Sequence, residues 1–167
     1  MPDPFLVRTF RFQVSLTRST PGTSAGDAGP QRLGDGGFQE CSGLELEADI
    51  KDHLEGGRND GVVRRVGRVK LHPLVLKRGM FAPTASGRAY TELWAWIQGM
   101  VAGVLPVPRF DGVIDVMDPT NTAPVATWAF VRGLPAKVSG PTLNAKTGDI
   151  AIEELQIAHE GLRLVTR

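Results

Sequence analysis

Phe10, Phe12, Val14 and Leu16 alternate with Arg11, Gln13 and Ser15, a period of two that predicts a strand with one apolar face. The alternation returns at Leu44, Leu46, Ala48 and Ile50 against Glu45, Glu47 and Asp49, with Phe38 on matching parity. Cys41 falls out of phase, and Gly43 beside it would allow a bulge. Across "RVKLHPLVL" the apolar side changes: Val69 and Leu71 share one face, Leu74 and Leu76 the other. Pro73 at the change marks an edge or a bulge. A helical period appears at Tyr90, Leu93, Trp94, Ile97 and Val101, with Thr84 or Ser86 as the cap and Gly99 and Gly103 marking the end. The opposite side offers Thr91, Glu92 and Gln98 and no basic residue, so this stripe is expected to pack on a sheet rather than on a membrane. "FDGVIDVMD" and "VATWAFV" flank "PTNTAP", which reads as a hairpin turn. In "DIAIEELQIAHEGLRLV", Ile150 and Ile152 are out of phase with Leu155 and Ile157, which predicts a bulge at Glu153-Glu154. The order is β, β, β, helix, β, β, β: a mainly β fold, with one helix against an antiparallel barrel or sandwich.

Composition narrows this picture. A chain of 167 residues fits one domain, and 41% apolar with 22% charged residues is an ordinary globular mixture. The 20 glycines and 12 prolines support many turns. They concentrate in 17–37, "TRSTPGTSAGDAGPQRLGDGG", which offers almost nothing apolar to bury and reads as a mobile surface loop. Too little chain precedes it to form a separate core, so it reads as an insertion in a single domain spanning 1–167. Nineteen basic against 18 acidic residues leave +1, no field for drawing DNA or an anionic membrane to the whole surface. The single cysteine excludes an intrachain disulfide and a cysteine-based zinc cluster. "MPDPFLVRTF" does not read as a signal peptide, and no apolar run approaches the roughly 20 residues that span a bilayer. The expectation is a soluble chain made in the cytosol, without stable membrane insertion.

The densest charge lies in 52–70, "DHLEGGRNDGVVRRVGRVK", where Arg58, Arg64, Arg65, Arg68 and Lys70 fall close together. A phosphate loop would need a lysine and a hydroxyl after its glycines, and this segment has neither. A nucleic-acid-binding β-barrel could use the basic stretch 58–70. Against it, no aromatic residue is interleaved for stacking, and Glu45, Glu47, Asp49, Asp52 and Glu55 precede it. An acidic arm beside a basic arm suits pairing with another copy of itself. His53, His72 and His159 keep no metal-ligand spacing, and Cys41 has no nucleophile signature. Alternation and a turn account for Asp111, Asp115 and Asp118, and adjacent Glu153 and Glu154 make no acid-base pair. The expectation is therefore no enzyme, with no catalytic, cofactor-binding or metal residues.

"FQECSGLELEAD", "EGGRND", "LVLKRGMF", "LWAWI", "GPTLNA" and "IAIEELQIAHEGL", in this order, resemble the tail-tube proteins of contractile phage tails and phage-tail-like injection systems. F-x-E-x-S-G-L (Phe38 to Leu44), E-G-G-x-N (Glu55 to Asn59) and L-K-R-G (Leu76 to Gly79) carry the likeness, which spans nearly the full chain. Two departures are the long 17–37 loop and Val66 where the family commonly has a proline before the glycine. The resemblance implies a small antiparallel barrel or sandwich with a flanking helix and a projecting hairpin, 46–70, as an assembly arm. Glu55, Gly56, Gly57, Arg58, Asn59, Arg64, Arg65 and Arg68 would form its interface. It further implies hexameric rings that close sheet edges from neighbour to neighbour and stack into a hollow tube. An outer sheath would drive that tube through a target envelope, with cargo or DNA in the lumen and no cofactor. Sheath and baseplate proteins would be its partners, in a particle assembled in the bacterial cytoplasm. A tube-initiator role at the baseplate end is the alternative within the same machine.

Overall fold

The computed structural model describes residues 7–19, 33, 37–54, 56–57, 61–82 and 90–165. Among them the chain forms β1 (Phe12–Arg18), β2 (Glu40–Ser42), β3 (Leu46–His53), β4 (Val63–Leu71) and β5 (Leu74–Gly79). Helix α1 (Glu92–Val101) follows, then β6 (Phe110–Met117), β7 (Pro124–Ser139), β8 (Ile152–Ala158) and β9 (Gly161–Val165). Seven strands join in the order β1-β6-β7-β8-β5-β2, with β9 also on β7, while β3 and β4 pair only with each other. The mainly β, antiparallel fold with one helix is thus what the chain forms. The six strands expected become nine, because three of the runs each divide, the last of them at His159-Glu160 into β8 and β9. Phe38 to Ile50 splits at Gly43 into β2 and β3, and 63–79 splits at His72-Pro73 into β4 and β5.

β7 organises the larger sheet by changing partners along its length. Residues up to Gly133 pair with β6, residues 127–131 also pair with β9, and residues from Leu134 pair with β8. The change falls at Arg132, whose φ is 54°. Asp111 accepts a hydrogen bond from the Arg132 backbone N–H at 2.7 Å, and Glu160 binds both Arg132 (2.8 Å) and Arg109 (2.6 Å). These contacts stabilise a backbone conformation that a side-chain-bearing residue adopts only at a cost. Inside the sheet, Leu16, Leu74, Leu76, Ile114, Phe130, Leu155 and Ile157 form one core with Phe110, Leu93 and Trp96. The rings of Trp96 and Phe110 meet edge to face with their centroids 4.8 Å apart, and the Trp96 indole donates to the Pro108 carbonyl at 2.7 Å.

Four expectations need correction. Leu33, inside the loop read as having nothing to bury, lies in the core and donates its N–H to Leu16 at 3.1 Å. The rest of that loop, 20–32 and 34–36, lies outside the described residues, as do the cap candidates Thr84 and Ser86; α1 begins after Thr91. The helix buries Leu93 and Trp96, while Val101 faces solvent, so the inward stripe is rotated from the one the apolar spacing suggested. No bulge interrupts β8 at Glu153-Glu154: its pairing with β5 is regular from Ile157 to Ile152. The inward positions are Glu153, Leu155 and Ile157, and the apparent phase shift arises because one of them is charged.

Glu153 is inward because Arg78 of β5 lies directly opposite it. Both side chains are 1% exposed, and Arg78 Nε donates to Glu153 Oε1 at 2.6 Å. The Trp94 indole donates to the other carboxylate oxygen at 3.2 Å, and Glu92 lies 3.7 Å from Arg78. Charge and indole together fasten α1 to the β5–β8 pair, where a purely apolar contact would leave the helix free to slide.

A candidate assembly interface

The β3–β4 arm leaves the seven-stranded sheet through a narrow root. Gly43 has φ +83°, and a Cβ there would run into the Pro73 carbonyl and approach Leu74 Cα to 3.2 Å. The two chains of the root therefore touch backbone to backbone, which only glycine permits. His159, buried at the β8–β9 turn, donates from Nε2 to the His72 carbonyl at 3.1 Å. Burial lowers its pKa and keeps the ring neutral for that role. Outside the root, Glu47 accepts from Lys70 at 3.0 Å and from His72 at 2.8 Å. The Lys70 hydrogen bond, then that of His72, lowers the Glu47 pKa from its ordinary 4.5. This exposed clamp therefore holds at neutral pH and weakens as acid protonates Glu47.

Pairing along the arm sorts its residues onto two faces. Leu46 opposes Leu71, Ala48 opposes Val69, Ile50 opposes Val66, and Asp52 opposes Arg64. Val66 and Val69, three residues apart, would face opposite ways in a regular strand. A bulge aligns them: Gly67 and Arg68 together oppose Asp49. A Cβ on Gly67 would meet the Asp49 carbonyl at 2.8 Å, so glycine is required where the strands close around the extra residue. The result is a continuous apolar face, and its five large side chains, Leu46, Ile50, Val66, Val69 and Leu71, are all exposed, Val66 at 75%. β3 and β4 pack principally on each other, so among the described residues no other element covers this face. Alternation announced a two-faced strand pair but did not say that its apolar side stands uncovered.

The opposite face is charged. Lys70 and Glu47 pair near the root, whereas Lys51 stands directly across from Arg65. Like charges in register repel. Of the residues proposed for the interface, Arg64 pairs with Asp52 at 3.6 Å, Arg65 lies on the charged face and Arg68 sits in the bulge. Gly56 and Gly57 form a turn at the tip; Glu55, Arg58 and Asn59 lie outside the described residues. The apolar side chains brought together here were not among the proposed interface residues, although their alternation was visible in the sequence.

No group of three or more His, Cys, Asp or Glu that could hold a metal occurs among the described residues. The three aspartates serve the fold: Asp111 holds Arg132, Asp115 accepts from Thr127, and Asp118 gathers Thr120, Thr122 and Ala123 in the β6–β7 turn. Cys41 is half-buried in β2, and burial pushes its thiol up to about 11. Among the described residues no helix is long and apolar enough to cross a membrane.

The model of the T4-like virus tail tube protein gp19 family matches residues 8–163. No curated protein matches the chain. Similar folds occur in solved assemblies. A chain of the sheath-tube complex of the extracellular contractile injection system PVC is 20% identical, with a TM-score of 0.74 over 98% of this chain and 93% of that one. A chain of the anti-feeding prophage baseplate is 23% identical, TM-score 0.73, with coverage of 99% and 97%. One from that prophage's tube-terminating cap is 17% identical, TM-score 0.76, covering 100% and 95%.

Proposed function

Because the chain belongs to the T4-like virus tail tube protein family, we propose that it is a structural subunit of the hollow inner tube of a contractile tail or tail-like injection particle. The observation that carries this reading is the projecting arm with an uncovered apolar face. A two-stranded hairpin is marginal in water by itself, and exposed apolar area of this extent marks a contact surface. We take the contact to be another copy, in closed rings that stack. Hexameric symmetry, assembly in the bacterial cytoplasm, sheath and baseplate partners, and a lumen for cargo or DNA complete the proposal. The arm's tip, Glu55 to Asn59, would add polar contacts.

The test exchanges the Ile50–Val66 pair for Glu and Lys, which keeps a favourable cross-strand pair while removing the centre of the apolar face. Both positions are exposed, so the fold's stability should change by no more than about 0.5 kcal/mol. Parent protein is expected to show rings or tubes by negative-stain electron microscopy, and the exchanged variant monomers with an unchanged circular dichroism spectrum. Monomers from both, at high concentration and low salt, overturn the reading. Long tubes from the parent alone fit the repeated subunit; single rings fit the initiator at the baseplate end.

One observation favours a second reading. Lys51, Arg65 and Arg68 form no ion pair with the described residues, although acidic side chains lie nearby on the arm. If nucleic acid is their partner, monomeric protein should bind a single-stranded oligonucleotide, and affinity should fall steeply with added salt.

A further inference from the structure

The chain carries a second exposed apolar surface, at the end of α1. Residues 101–106, "VAGVLP", are all exposed, with Val101 at 81% and Leu105 at 80%, and no charge occurs before Arg109. This shoulder is firmly held. Ala102, Gly103 and Val104 donate their N–H groups back to Gln98, Met100 and Gly99, and the Trp96 indole holds Pro108.

Building on the arm as a contact between copies, we infer that the apolar face of one copy's arm seats on the 101–106 shoulder of another. Arm face and shoulder are each a contiguous group of exposed apolar side chains rather than scattered single ones, the arrangement that marks an interaction site. Both are uncharged at their centres, so neither loses ionic hydration when they meet. Other exposed apolar sites mix in charge. Leu143 and Ile150 flank Lys146 and Asp149, while Val7 and Phe10 lie among Arg8, Arg11 and Asp118. Each copy supplies one arm and one shoulder, so a head-to-tail contact covers every apolar face in a closed ring or continuous stack. Arm-to-arm pairing would leave the shoulders bare. Neither surface must reorganise, because the arm is clamped at its root and the shoulder is bonded to the last helical turn.

Chains with one added cysteine test this. Ile50→Cys protein is co-assembled with Leu105→Cys protein carrying a larger tag, then treated with a short bifunctional maleimide. Native Cys41, half-buried and protonated at neutral pH, contributes little. A covalent heterodimer forming several-fold more than with Leu143→Cys or Phe10→Cys as the tagged partner is the expected result. Stronger cross-linking to either of those, or Ile50→Cys homodimers instead, overturns the shoulder while leaving the arm as a contact between copies. Absence of any intermolecular product from Ile50→Cys overturns both. All four positions are exposed, so loss of folding does not account for a negative outcome.

Discussion

Replacing Arg78 with methionine is expected to destabilise the fold by about 3–5 kcal/mol, the usual consequence of breaking a buried ion pair from one side. Glu153 would remain 1% exposed, keeping the Trp94 indole on its carboxylate. Its charge would then have to be neutralised by a proton or reached by water, and either loosens the seat of α1 on β5 and β8. For a chain of this size the melting temperature should fall by roughly 10 °C. The double replacement Arg78→Met with Glu153→Leu should recover most of the loss, because burying two well-packed apolar groups avoids the desolvation that the pair must offset. Denaturant unfolding of the assembly-deficient Ile50→Glu, Val66→Lys background measures this without interference from subunit contacts. Equal stability of the single and double replacements would remove the assigned role of the pair.

Gly43→Ala should affect assembly more than its size suggests. A φ of +83° costs an alanine about 1–2 kcal/mol, before any collision is counted. The added methyl also meets the Pro73 carbonyl, which belongs to backbone and cannot swing aside. The two root chains would have to separate, and a small change of angle there is magnified along an arm some eight residues long. We expect a stability loss of about 2 kcal/mol or more, with tubes lost or irregular in electron micrographs. Gly148→Ala, in the loop between β7 and β8 and outside the proposed contact surfaces, is the control: nothing lies within 4 Å of a Cβ there, so tubes should persist. Normal tubes from Gly43→Ala would show that the root does not direct the arm.

The strands and hairpin were legible because alternation reports which side chains share a face. The change of parity at Pro73 was also visible, and its meaning is now physical: Leu71 and Leu74 belong to different sheets, one exposed and one buried. Alternation is silent about what covers a face. Leu46 and Ile50 look in sequence like Leu74 and Leu76, and only the three-dimensional placement of the hairpin separates an interface from a core. Periodicity also assumes that inward residues are apolar, which is why Glu153 was mistaken for a bulge. Val101 was assigned to the buried stripe because helical spacing cannot say where the underlying sheet ends. Leu33 was lost within a run of glycine and polar residues, where a single apolar side chain produces no period.

The extra residue at Gly67-Arg68 makes the arm's length a matter of parity as well as reach. Deleting one residue there would allow an unbroken ladder, with better local hydrogen bonding than the natural hairpin has. It would leave Val66 opposite Ile50 and two residues from Val69, still on the apolar face, whereas forcing the natural sequence into an unbroken ladder would set Val66 among the charges and Arg65 among the leucines. The bulge therefore keeps one contact face along two strand segments whose lengths differ by one residue. An insertion or deletion of two residues preserves the facing pattern while changing the reach, and so offers related chains a route to tubes of different spacing.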